Sequence, residues 1–464
     1  MEKFLFKKVE MWIVLLVLII GMIGTVIFAG AVRHNTKWNG EIHPKNRLGN
    51  IAPAVETIAA FPQNIFDLLM ANSITMVDTQ QLLAKEKRFE GQAHFQFNYP
   101  AGSRPELGYV LINRYDGDLV HSVSELWDLN AQELVHTWSF SEVDSLWKKL
   151  KFTSDLVNVP IDHAARRFRS GHAFLSKNGE LITHSFGAPL IRADVCSNLE
   201  LLNDSTIFHH SIERDHSGNF WIPILIEPRT VDLGTSKFRD DGIALVDAEG
   251  DILFKKSVTQ LLDENGFTHL IYGKGKPNND PIHLNDIQPV LTDGIYWKQG
   301  DVFLSLRNQS MVVLYRPSTN EVLWLKQGPW IHQHDVNILS GHEISIFNNN
   351  APAKYMDTTV VRGVSNILVY NFKDDYTHSP FQANFETLEL RTMTEGRGRI
   401  FGTEVFVEET NSGRLIQFKA DGSVSWQFIN SSEKGDIYKL NWSRLITGHL
   451  GDQIRKIIFK KGCI

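Results

Sequence analysis

The sequence has only two cysteines, Cys196 and Cys463, far apart and without CxxC or zinc-finger spacing. That excludes a thiolate metal cluster and a small disulfide-stapled fold. The two thiols can form one bridge only if the fold brings them together; otherwise they stay buried or unpaired. No basic run marks a nucleic-acid groove, no long acidic block marks a disordered tail, and the formal net charge is -6. Nucleic acid is therefore not an expected partner. The segment GKGKP, Gly273 to Pro277, lacks the spacing and the following Ser or Thr of a phosphate-binding loop, and reads as a solvated turn.

Long hydrophobic runs are also scarce, with one exception. Met11 to Val32 is uncharged and long enough to cross the hydrocarbon layer as a helix. Lys3, Lys7 and Lys8 precede it, so its N-terminus is expected to stay in the cytoplasm. The run is longer than a usual signal-peptide core, which favours an uncleaved anchor over cleavage near Ala29-Gly30-Ala31. The expected organisation is a cytoplasmic N-terminus over 1–10, a transmembrane anchor over 11–32, a juxtamembrane linker over 33–106 and a catalytic β-domain over 107–464. Apolar residues at helical spacing in 55–87 predict one or two short helices in the linker, broken at Pro62.

From about Leu107, short apolar and aromatic runs alternate with turns of Gly, Asp and Asn, the pattern of an all-β fold. One plan recurs in LWDLNAQELVHTW, ALVDAEGDILFKK, VLYRPSTNEVLWLK and IQFKADGSVSWQF. It is a strand, a turn residue able to take positive φ, then a strand that often carries an aromatic for packing between sheets. A second recurring segment begins with histidine: GHAFLSKNGELI, HHSIERDHSGNFWI, HLNDIQPVLTDGIYW and QHDVNILSGHEISIF. Pairing the two kinds of segment gives a six-bladed β-propeller. If the histidine-led segments are the innermost strands, His172, His210, His283 and His334 converge at one channel mouth. Such a cluster can bind an anion or a metal, or attack as a nucleophile.

The run HLNDIQPV, the strand FLSLRNQSMVVLY and the segment QHDVNILSGHEISIFNNN together resemble the bacterial arylsulfotransferases, and EETNSGRLIQFKADGSVSWQF is similar to that family's last blade. The resemblance covers about Gly171 to Ile429. It implies an aryl sulfate sulfotransferase that uses neither cofactor nor nucleotide sulfate donor. Carried over, it makes His334 the nucleophile, with His283, Arg307 and His210 completing the catalytic set. Asn285, His209, His332 and His172 are assigned to substrate binding, and no metal is implied, since Arg307 and Asn285 favour an anion. The expected partners are an aryl sulfate donor, a phenolic, glycan or lipid-linked acceptor, the membrane through the N-terminal helix, and a second copy in a homodimer. The implied location is the bacterial inner membrane, single-pass, with the catalytic domain in the periplasm.

Three features depart from the family pattern. Ser211 stands where an acidic residue is common, Asn348-Asn349 lose a carboxylate, and the cysteines are distant in sequence. The competing expectation is a non-catalytic propeller that binds a sulfated ligand or a protein partner at the membrane surface.

Overall fold

The computed structural model describes residues 11–38, 41–42, 82–84, 88–92, 94–154, 156–231, 233, 238–273, 279–352 and 360–462. The chain divides into two units, Met1–Asp78 and Thr79–Ile464. In the first, Met11–Thr36 is one α-helix whose stretch Trp12–Ala29 is long and apolar enough to cross a membrane. The short helices expected in 55–87 lie outside the described residues except at 82–84, and the turn expected at 273–277 lies outside them except at Gly273.

The second unit is an all-β, propeller-like assembly of five antiparallel sheets. Its hairpins follow the predicted turn chemistry. Asp247 Oδ1 accepts from the backbone N–H groups of Glu249 and Asp251, closing the turn between Asp241–Val246 and Ile252–Ser257. In that turn Gly250 has φ 96°, and a Cβ there would lie 2.4 Å from the Leu202 carbonyl oxygen, so the position requires glycine.

Four sheets stand as separate blades, not the six that the repeat predicts, and one further sheet has eight strands. The strand Leu199–Phe208 explains the difference. It pairs with Ala188–Ala193, and its last residues, Ile207 and Phe208, also pair with Leu225 and Ile224. Two sequence repeats therefore merge into one sheet.

The ring closes through segments with weak local signals. Arg444–Ile446, near the C-terminus, pairs with Tyr109–Asp116 and adds the inner strand of the first blade. Phe95–Phe97, ahead of residue 107, pairs with Val424–Ile429 and adds the outer strand of the last blade. The apolar residues Val110, Ile112, Phe406, Leu415, Trp426 and Phe428 fill the seam between these two blades.

Buried polar groups of one sheet reach the inner strand of the next. Asp241 accepts from Leu284 N–H at 2.7 Å, and Asp286 from Val336 N–H at 2.7 Å. Asp335 accepts from Gly398 N–H at 2.9 Å, and Glu408 from Trp442 N–H at 2.8 Å. Ser211 accepts from Ile287 N–H at 3.0 Å, so the serine that departs from the family pattern is also a link of this kind. Cys196 is disulfide-bonded, and Cys463 lies outside the described residues.

Trp426 is fully buried in the closing seam and its indole N–H donates to Gln417. Trp426→Ala should lower unfolding free energy by about 3–5 kcal/mol in urea titration of residues 79–464. A loss below about 1 kcal/mol would contradict the view that this seam holds the ring closed.

Candidate active site

The inner strands bring the histidines together by a shared backbone device. His172, His210, His283 and His332 all have left-handed φ, at 52°, 58°, 53° and 51°. Such a conformation costs about 1–3 kcal/mol for a non-glycine residue, so its recurrence at one point of each repeat marks a constrained position. His332, not His334, is therefore the positional counterpart of the other three. His334 lies two residues further on, where the neighbouring segment HLND has Asn285.

His334 opens the strand His334–Ser340 and is buried. Its Nδ1 is 2.7 Å from Asn349 Oδ1. The Asn349 amide N–H groups donate to the carbonyls of Thr392 at 3.0 Å and Glu395 at 2.7 Å. That fixes the amide orientation, so Oδ1 must accept and His334 Nδ1 carries the proton. Nε2 is left with its lone pair, buried and without a hydrogen-bond partner. Burial, with the Arg307 guanidinium nearby, pushes the His334 pKa down to about 3. The imidazole is neutral at ordinary pH.

Arg307 follows the strand Val302–Leu306, and its backbone N–H donates to the His283 carbonyl at 3.1 Å. Its Nη1 donates to Asn308, while Nε is buried without a partner. Burial lowers its pKa, and Asp280 and Glu395 oppose that effect. Glu395 is itself bound by Arg169 at 3.1 Å.

His283 Nδ1 lies 2.5 Å from Asp280 Oδ2, a histidine–carboxylate pair. Burial works most strongly to raise the Asp280 pKa, but the bond from His283 together with the charges of His283, Arg239 and His209 holds the carboxyl below its ordinary value. His210 meets His283 edge to face with ring centroids 5.1 Å apart. His209 is a second layer: its Nδ1 is 2.8 Å from His210 Nδ1, and its Nε2 is 3.5 Å from Asp241. Asn285 is buried, donates to the Gln333 carbonyl at 2.8 Å and leaves Oδ1 without a partner. His332 Nδ1 lies 2.8 Å from the Ala351 carbonyl. His172 stacks on Trp442 with centroids 3.8 Å apart. Phe186 packs edge-on to both His172 and His210, and carries Arg169 on its face.

Mutual electrostatic influence links His172, His210, His283, His334 and Arg307 in one cluster. His163 and His184 are buried behind it, His163 with Ser185 as its partner. Among the described residues, no group of three or more His, Cys, Asp or Glu side chains is arranged to hold a metal ion. The sequence reading missed Asp280, Asn349 and Glu395 as members of the site. Asp280 had a signal, three residues before His283. Glu395 had none, because it arrives from a segment remote in sequence.

Fold and site together define a propeller-like protein whose channel mouth combines neutral histidines with one partly unsatisfied arginine. The arylsulfotransferase (ASST) family model matches residues 192–431, just over half of the chain. The chain belongs to that family, and its general function is of the arylsulfotransferase type. Comparison with curated proteins finds no match. Solved structures with some similarity include a chain of a mitotic checkpoint complex (9% identity, TM-score 0.32, 55% of this chain and 63% of that one). Others are a chain of a nidogen/laminin complex (9%, TM-score 0.39, 72% and 97%) and a streptogramin B lyase (10%, TM-score 0.36, 76% and 98%). The chain thus spans less than two thirds of the first of these three chains.

The buried histidines fix a pH dependence of stability. Burial lowers the pKa of His172, His209 and His210, of His163 to about 4, and of His184 and His334 to about 3. Below about pH 6.5 the unfolded chain binds protons that the folded one does not, so each such histidine costs up to about 1.4 kcal/mol per pH unit. Asp286, raised to about 8 by burial, and Asp241 and Glu408, also raised by burial, act in the opposite sense. They are three against six. The urea midpoint should therefore fall as pH drops from 6.5 to 4.5; a flat or rising midpoint would contradict the neutral histidine cluster.

Proposed function

We propose that the protein moves a sulfuryl group from an aryl sulfate to a phenolic or other hydroxyl acceptor through a sulfohistidine at His334. The observation that carries this reading is the bare, neutral Nε2 of His334 beside Arg307. In the first half-reaction the Nε2 lone pair attacks sulfur, an N–S bond forms, and the S–O bond to the aryl group breaks. The leaving phenolate takes a proton from His283, whose imidazolium Asp280 can stabilise. In the second half, the acceptor hydroxyl returns a proton to His283 as its oxygen attacks sulfur, and His334 is released. Arg307 and the second amide N–H of Asn285, the one not given to Gln333, are suited to the sulfuryl oxygens, where preorganised donors act most strongly in a water-poor site. His210 adds a further contact, backed by His209 and Asp241. His172, His332 and Phe186 would shape the aryl-binding wall.

The apolar helix Met11–Thr36 supports a single-pass anchor in a bacterial inner membrane, with the catalytic unit in the periplasm. The disulfide at Cys196 favours such an oxidising compartment. A membrane tether in turn favours a lipid-linked or glycan acceptor over a freely diffusing phenol.

The test is turnover of 4-nitrophenyl sulfate with phenol as acceptor. Wild-type protein should release nitrophenol with ping-pong kinetics, and His334→Ala should lower kcat by at least about a thousandfold. No release by folded protein with several donors and acceptors would instead favour a non-catalytic module that binds a sulfated ligand. Asn349→Leu should leave the fold intact and lower kcat by roughly a hundredfold, because the tautomer of His334 is no longer fixed. Unchanged kcat in that variant would remove Asn349 from the account.

A further inference from the structure

A second concave site lies on the other side of Trp442 from His172. Its cavity of about 240 Å³ is lined by Arg397, Arg399, Arg444, Glu213, Phe401 and Leu445. The inner strand Arg397–Phe401 explains the position. Its start lies next to Glu395, at the histidine layer, and alternate residues Arg397, Arg399 and Phe401 face one way. The wall therefore runs from a buried arginine beside the mouth to a phenylalanine that is half exposed at the other end.

The three arginines are not equally committed. Arg444 is spent on structure: it holds Glu213 at 3.0 Å and donates to the carbonyls of Ile212, at 2.6 Å, and Ala173, at 3.1 Å. Arg397 donates to the Ser443 carbonyl at 3.0 Å and reaches Asp335 at 3.4 Å, and it lies on the face of Trp442. Its Nε is buried and has no partner. Arg399 makes no hydrogen bond among the described residues; its closest carboxylate oxygens, on Glu213 and Asp335, are 3.7 and 3.8 Å away. Three guanidinium groups thus face two carboxylates, with donors left over.

We propose that this pocket is a second anion site, which takes an organic anion with an oxyanion head and a flat apolar body, such as an arenesulfonate or aryl carboxylate. The head bonds Arg399 and the free edge of Arg397. The body lies against Phe401 and Leu445. The cavity has the room of roughly eight waters, at about 30 Å³ each, which is more than a bare inorganic oxyanion needs. Trp442 stands between the two sites, stacked on His172 on one side and under Arg397 on the other. The pocket is therefore distinct from the mouth that holds Arg307.

The probe is 2-naphthalenesulfonate, whose C–S bond makes it inert to sulfuryl transfer, titrated calorimetrically into the full-length protein. Wild type should bind two equivalents. Arg399→Glu and the milder Arg399→Gln should each weaken one of them by at least about tenfold, the loss of a charged hydrogen bond. Arg307→Gln should weaken only the other. Thermal melting of each variant separates loss of binding from loss of fold. The proposal is overturned if folded Arg399 variants bind as wild type does, or if wild type binds no more than the equivalent that Arg307→Gln removes.

Discussion

The architecture depends on buried carboxyl groups that reach from one sheet to the inner strand of the next. Asp241, Asp286, Asp335 and Glu408 each accept an N–H at or beside the inner strand of the neighbouring sheet. An inner strand at a channel has an edge with no ladder partner, and its N–H groups would otherwise be buried unmet. The carboxyl groups satisfy those donors and fix the rotational setting of one sheet against the next. Removing one would leave a buried donor unpaired, which costs about 1–3 kcal/mol. The histidines sit within a few residues of these links, so the same bonds that hold the ring also aim the site.

That arrangement separates two electrostatic regimes in one channel. At the mouth, burial keeps the imidazoles neutral and Arg307 supplies the positive charge. Deeper in, Arg397, Arg399 and Arg444 face Glu213 and Asp335 as a charged layer. Burial pushes the Arg397 pKa down to about 10, which still leaves it protonated at neutral pH. A neutral nucleophile beside a fixed cation is suited to attack on an anionic sulfate ester, since protonation would remove the lone pair that attacks.

Much of this was legible in the sequence, for local reasons. The hairpin turns announced themselves through Asp and Gly, and the histidine-led segments marked inner strands. The histidine register was less legible. Spacing from QHD selects His334, whereas backbone geometry makes His332 the repeat's counterpart and aligns His334 with Asn285. The blade count was misread because Leu199–Phe208 bonds on both sides at its end, and no composition cue marks that. Arg444–Ile446 was missed because three residues carry no periodicity, and its partner lies more than three hundred residues earlier. Asn349 read as a lost carboxylate, yet its amide still fixes the His334 tautomer through Thr392 and Glu395.

The central claim is that sulfur is held covalently on one nitrogen between two half-reactions. The direct measurement is mass spectrometry of the full-length protein after brief exposure to 4-nitrophenyl sulfate without acceptor, quenched in alkali and digested. The account predicts one added SO₃ group on the peptide that contains His334, assigned by fragmentation to His334 and not to His332, and discharged when phenol is added before the quench. The group on any other residue, or turnover with no trapped group at all, would contradict it.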